Sequence, residues 1–174
     1  MDLQYPIGKF QWGGAITDAQ REQLIAQIEQ APAHLRQAVA GLTEKQLDTP
    51  YRPEGWTVRQ VVHHLSDAHM NAYVRFRLAL TEDEPTIKPY AQERWASLED
   101  ARTAPTELSL SLLESLHRRW VLLLRSLRAA DFARTFRHPE IGLVTLDKHL
   151  GMAAWHGRHH IAHITCLCDR MGWK

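Results

Sequence analysis

The chain has 174 residues, with 21 Lys+Arg against 20 Asp+Glu and a formal net charge of +1. That length suits one domain over residues 1–174 with a substantial core, and the balanced charge gives no electrostatic reason to expect nucleic acid or an anionic membrane as partner. No apolar run approaches the ~18 residues of a membrane span, and the start Met1-Asp2-Leu3-Gln4-Tyr5 does not read as a secretory signal, so a cytoplasmic protein is expected. Histidine is the outlier, with 11 residues, five of them between His149 and His163.

Residues 1–16 carry Pro6, Gly8, Gly13 and Gly14 and read as an irregular arm. Thr17-Asp18 caps a helix with Leu24, Ile25, Ile28, Leu35, Val39 and Leu42 on one face, running toward Gly41; Pro32 predicts a kink or break near Ala31. Thr43 to Tyr51 reads as a short helical turn and a loop. Thr57-Val58-Arg59-Gln60 is a capping box that opens a second long helix, expected to reach about Thr81. With His64 at zero on its wheel, Val58, Val61, Val62, Leu65, Ala68, Ala72, Phe76 and Leu80 spread from roughly 40° to 160°. His64 therefore lies on the shoulder of the buried arc, with Asp67, Asn71 and Arg75 on its side. His63, near roughly −100°, is expected to face solvent.

Residues 82–105, with Pro85, Pro89 and Pro105, form a long crossover around a short helix near Glu93–Ala101. Thr106 caps a third long helix carrying Leu110, Leu113, Leu116, Trp120, Leu123, Leu124 and Leu127. Ala130–Phe136 adds a turn of helix, and residues 138–144 a turn with a short extended piece. Thr145 caps the last helix, which ends near Gly172. Four long helices with an extended middle connection give an all-α fold, a four-helix bundle.

The last helix holds four histidines in the eight positions 156–163. His156 and His160, one turn apart at the edge of the buried arc, can grip one divalent ion. His163 lies about 10.5 Å along the axis from His156, so all three cannot bind one ion from a straight helix. A third ligand must come from elsewhere, and His64 is the placed candidate. Three imidazoles with no further carboxylate or thiol leave an open coordination position, the arrangement of catalytic ions. His163 is read either as a residue behind the ligands or against substrate or as plain packing, and Asp67 as an orienting or proton-shuttling group for His64. His159 is expected at the surface. His34, His117, His138 and His149 are read as structural, and Trp56, Trp120, Trp155 and Trp173 as packing anchors. Cys166 and Cys168, about 200° apart on a helix, make a poor disulfide.

Two segments, Trp56-Thr57-Val58-Arg59-Gln60-Val61-Val62-His63-His64-Leu65 and Trp155-His156-x3-His160-x2-His163, resemble the DinB-like superfamily, and within it the YfiT group, whose metal-dependent hydrolase activity is assigned by inference. The likeness spans nearly the whole chain, from Tyr5-Pro6-Ile7-Gly8 to Met171-Gly172-Trp173. It implies a four-helix bundle, frequently a homodimer, with one zinc or nickel ion on His64, His156 and His160, acting on a small molecule. Other members use a comparable ion as transferases of low-molecular-weight thiols such as bacillithiol. Under that alternative Arg52 and Arg75 are candidates for the thiol's carboxylates. A further alternative is a non-catalytic metal-binding stress protein.

Overall fold

The computed structural model describes residues 2–173. Four long helices form the bundle: α1 (Asp18–Val39), α3 (Val58–Thr81), α6 (Thr106–Ser126) and α8 (Leu146–Met171). Between them lie the short helices α2 (Glu44–Leu47), α4 (Gln92–Ala96), α5 (Glu99–Thr103) and α7 (Ala129–Phe132), and an antiparallel hairpin of β1 (Thr135–His138) and β2 (Gly142–Thr145). The fold is thus a four-helix bundle with a small two-stranded addition. Helix α1 packs on α6 and α8, and α3 packs on the same two, so helices successive in the chain are not all neighbours in space.

Local chemistry sets the helix starts. Thr17, Thr43 and Thr57 each accept from the backbone N–H three residues on, and Gln20, Gln46 and Gln60 return a bond to the cap backbone. Thr145 caps α8 through Lys148 N–H, and Gly172 ends it in the left-handed region at φ 63°. Thr106 is the first residue of α6 rather than its cap; Pro105 holds the cap position, as its missing N–H permits. The crossover contains two short helices where one was expected, separated at Ser97-Leu98.

Pro32 does not break α1, which runs unbroken from Asp18 to Val39. Proline removes the N–H that would serve the carbonyl four residues earlier, here Ile28. His117 Nδ1 supplies the missing donor at 2.6 Å. A tertiary contact thus satisfies the group that the proline leaves open.

The core falls into two clusters. One is built on Ile28, Phe76, Trp120, Phe132, Phe136, Leu146 and Leu150; the other on Leu35, Val58, Val62, Leu65, Leu113, Ile164 and Leu167. Between them, at matching heights on three helices, lie the buried histidines: His64 and His69 on α3, His117 on α6, and His159, His160 and His163 on α8. The bundle carries a polar layer across its middle. Arg21, buried and bonded to Asp147 at 2.7 and 2.9 Å, ties α1 to the start of α8. Arg59, also buried, ties α3 to Glu44, Asp48 and the Ala104 carbonyl. Cys166 and Cys168 are both thiols. No helix of the described residues is long and apolar enough to cross a membrane.

Candidate metal centre

Helix α3 brings His64, and α8 brings His156 and His160, into one cluster. Nε2 of His156 lies 3.3 Å from Nε2 of His64 and 3.1 Å from Nε2 of His160. Nitrogens bound at ~2.0–2.1 Å to one ion stand about 3.3 Å apart at tetrahedral angles and about 2.9 Å apart at octahedral ones. Both measured spacings fall within that interval. The ligand atoms of all three rings lie within 4.8 Å of one another, close enough to surround a single divalent ion, and among the described residues no cysteine or carboxylate joins this group.

Ion binding needs the imidazoles neutral, and the surroundings favour that state. Burial, then the charges of His159 and His163, push His64 down to about 4. Burial and the neighbouring rings hold His156 and His160 well below the ordinary histidine value.

The hydrogen bonds behind His160 assign its tautomer. His163 Nε2 is 3.1 Å from the carbonyl of Gln4, which can only accept, so that nitrogen carries the proton. The other nitrogen of a neutral His163 is then an acceptor, and it lies 3.3 Å from His160 Nδ1. His160 donates through Nδ1 and keeps the lone pair of Nε2 for the cluster. His163 thus stands behind a candidate ligand, and its ring stacks on Tyr51 at 4.0 Å between centroids. The irregular arm supplies the end of this chain. It is pinned there by Tyr5 against His159 (5.8 Å) and by Trp155 Nε1 donating to the Gly8 carbonyl (3.3 Å).

Several expectations are corrected. His63 is buried rather than solvent-facing: Nδ1 lies 2.7 Å from Ser109 Oγ and Nε2 3.2 Å from the Ala104 carbonyl. The crossover covers the outer side of α3, which a wheel of α3 alone cannot show. His159 is also buried, sandwiched by Tyr5 and by Trp155 at 4.4 Å. Asp67 makes no hydrogen bond to His64 among the described residues; its carboxyl sits near Asp100 and Tyr90, and burial followed by the Asp100 charge raises it to about 6. Arg75 does not line the cavity over the cluster, whereas Arg52 does. Trp56 and Trp155, read as packing anchors, both line that cavity, and Trp56 lies 4.5 Å from the His64 ring. His69 passed unremarked in the sequence, although at roughly 140° from His64 it sits within the apolar arc of α3, where a polar residue is itself a signal.

The cavity has a volume of about 250 Å³, with Tyr5, Tyr51, Trp56 and Trp155 as walls and Arg52 and Glu93 among its polar groups. The three clustered rings also line it.

Residues 27–164 match the model of the DinB superfamily. The chain belongs to the DinB superfamily. Full-length relatives include a protein of Bacillus mycoides, 55% identical over 172 residues and covering 99% of each chain, and one of Oceanobacillus iheyensis, 53% identical over 173 residues and covering 99% of this chain and 100% of that one. Both are named as metal-dependent hydrolases by inference. YfiT from Bacillus subtilis, a solved structure described as an inferred metal-dependent hydrolase with an unusual four-helix-bundle topology, is 51% identical with a TM-score of 0.98 over 100% of both chains. The four-helix-bundle protein TT2238 shares the fold alone, at 19% identity and a TM-score of 0.57 over 88% of this chain and 99% of that one.

Proposed function

We propose that this DinB-superfamily chain is a metal-dependent hydrolase in which His64, His156 and His160 hold one divalent ion, zinc or nickel, in the aromatic cavity. The observation that carries this reading is the convergence of three Nε2 atoms, 3.3 and 3.1 Å apart, on a cavity with no fourth protein donor among the described residues. When bound, such an ion lowers the pKa of a coordinated water toward ~7 and polarises a carbonyl or phosphoryl oxygen.

The chain's own residues do the rest. His163 takes the His160 Nδ1 proton in a hydrogen bond and so holds that ring in the binding tautomer. Tyr51, Trp56 and Trp155 exclude water from the sides of the cavity and suit a small substrate with an apolar part. Arg52, whose Nε donates to Tyr51 Oη at 3.2 Å, places a guanidinium on the same cavity for an anionic group. Asp67 has no place in this scheme.

The test is elemental analysis of the purified protein together with ester, amide and phosphate hydrolysis before and after chelation. One ion per chain, chelator-sensitive turnover and loss of both in His64→Ala support the reading. An ion-free protein, or turnover indifferent to chelator, sinks it. The Arg52 guanidinium also favours a second reading, transfer of a low-molecular-weight thiol bearing a carboxylate. In that case thiol is consumed only when an electrophile is supplied, and no hydrolysis accompanies it.

A further inference from the structure

We propose that His69, backed by His117, is a positioning residue for His156, so that each of the two α8 rings in the cluster has its tautomer set by a separate chain of imidazoles ending on a backbone carbonyl. The inference rests on the metal reading above, but its starting point is elsewhere, in the sequence of α1.

Pro32 leaves the Ile28 carbonyl without a helical donor. His117 Nδ1 lies 2.6 Å from that oxygen. A carbonyl only accepts, so His117 carries its proton on Nδ1, and its Nε2 is a lone pair. His69 Nδ1 lies 2.8 Å from His117 Nε2 and must donate to it. The remaining nitrogen of a neutral His69, Nε2, is then an acceptor. It is buried, on a residue 1% exposed, and has no hydrogen-bond partner among the described residues. An acceptor left open in the interior is costly and calls for an explanation.

The open nitrogen faces α8. A Cβ placed on Gly157 would lie 3.6 Å from His69 Cε1 and 4.0 Å from Nε2, which puts this edge of the ring one residue from His156. The His69 and His156 rings are 5.6 Å apart between centroids. The bonded pair His160–His163 stands at 5.2 Å and the bonded pair His69–His117 at 4.9 Å. His69 is therefore 0.4 Å (5.6 less 5.2) beyond the separation of a bonded pair in the same layer. His156 turns Nε2 to the cluster. If that nitrogen keeps its lone pair for an ion, Nδ1 holds the proton and is a donor that the open acceptor of His69 can receive. The two needs are complementary. The indole Nε1 of Trp120 is also buried without a partner, and its ring meets those of His69 and His117 edge-on at 6.0 and 5.8 Å, which makes it the competing donor.

The resulting chain runs from the Ile28 carbonyl through His117 and His69 to His156. It parallels the chain from the Gln4 carbonyl through His163 to His160. Removing a group that orients a metal-binding histidine typically weakens metal binding 10–100-fold.

The test compares Zn(II) affinity, by competition with a chromophoric chelator, in wild type, His69→Phe and His69→Gln. Phenylalanine keeps a ring but no acceptor; glutamine keeps both an acceptor and a donor. We expect His69→Phe to bind about 10–100-fold more weakly and His69→Gln to recover most of that loss. Equal affinity in wild type and a folded His69→Phe overturns the inference while leaving the metal reading intact; absence of Zn(II) binding in wild type overturns both. Because His69→Phe disturbs a buried layer, a second measurement uses wild type alone. Long-range ¹H–¹⁵N spectra with and without Zn(II) should show His69 protonated on Nδ1 and its Nε2 signal moving upfield as the ion is added. His69 protonated on Nε2, or an Nε2 bonded to the Trp120 indole N–H and insensitive to Zn(II), sinks the proposal.

Discussion

Acid destabilisation by one buried histidine gives the most quantitative prediction. His149 is 4% exposed, lies between Phe76 and Phe136 with centroids 5.4 and 4.9 Å away, and bonds through Nε2 to the Ala72 carbonyl at 3.3 Å. Burial first, then the Arg75 charge, lowers its pKa to about 3. In the unfolded chain the value returns to about 6.5. Because the folded value is depressed, the stability present above pH 6.5 is lost as pH falls toward 3, since only the unfolded chain takes up the proton. The slope is about 1.4 kcal/mol per pH unit, so this residue removes about 2.7 kcal/mol between pH 7.5 and 4.5. His117, lowered to about 4 by burial, acts in the same direction, and Asp67, raised to about 6, acts in the opposite one. The whole pH curve is therefore not diagnostic; the difference between wild type and His149→Gln is. Urea unfolding followed by circular dichroism, in chelator, at pH 7.5, 6.5, 5.5 and 4.5 measures it. The variant should be less stable at pH 7.5, with the gap shrinking by about 2.7 kcal/mol by pH 4.5. A gap that stays constant over that range refutes the reasoning.

Other predictions follow from individual contacts. His156→Ala should lower the ion content from about one per chain to near zero by elemental analysis, with helicity retained. His163→Leu should weaken Zn(II) binding about 10–100-fold, and His163→Gln, which can still accept from His160, should recover much of it in the same titration. Arg21→Ala leaves the Asp147 carboxylate without its bidentate partner and should cost about 3 kcal/mol in urea unfolding at neutral pH. Gly151→Ala places a Cβ 2.8 Å from the Trp12 ring. The ring must move, and stability should fall by about 1–3 kcal/mol, with faster proteolysis of the N-terminal arm.

The division between readable and unreadable features follows the range of the interactions. The cap at Thr17 and the capping box at Thr57 act over three residues, and the helix starts they predict are the ones observed; Thr43 adds a third box that the sequence reading did not single out. The i, i+4 spacing of His156 and His160 is likewise a property of one helix, and the wheel of α3 was enough to turn His64 toward them. Nothing local could place His63 or His159. His63 is buried by Ser109 of α6 together with the Ala104 end of the crossover, and His159 by the N-terminal arm together with Trp155, contacts that no wheel of one helix contains. The neighbours of Asp67 are likewise distant in the chain: Asp100 and Tyr90 belong to the crossover, not to α3.

By itself the sequence determined the four long helices, three of their caps and the three histidines that one turn or one wheel can align, because these depend on periodicity and on hydrogen bonds a few residues long. Tertiary structure alone decided what stands behind those histidines. Pro32 in α1 opens a carbonyl that His117 of α6 closes, and Gln4 in the arm sets a proton on His163 of α8. Such tautomer choices depend on donors and acceptors dozens of residues apart, and only packing the four helices together brings them within bonding distance.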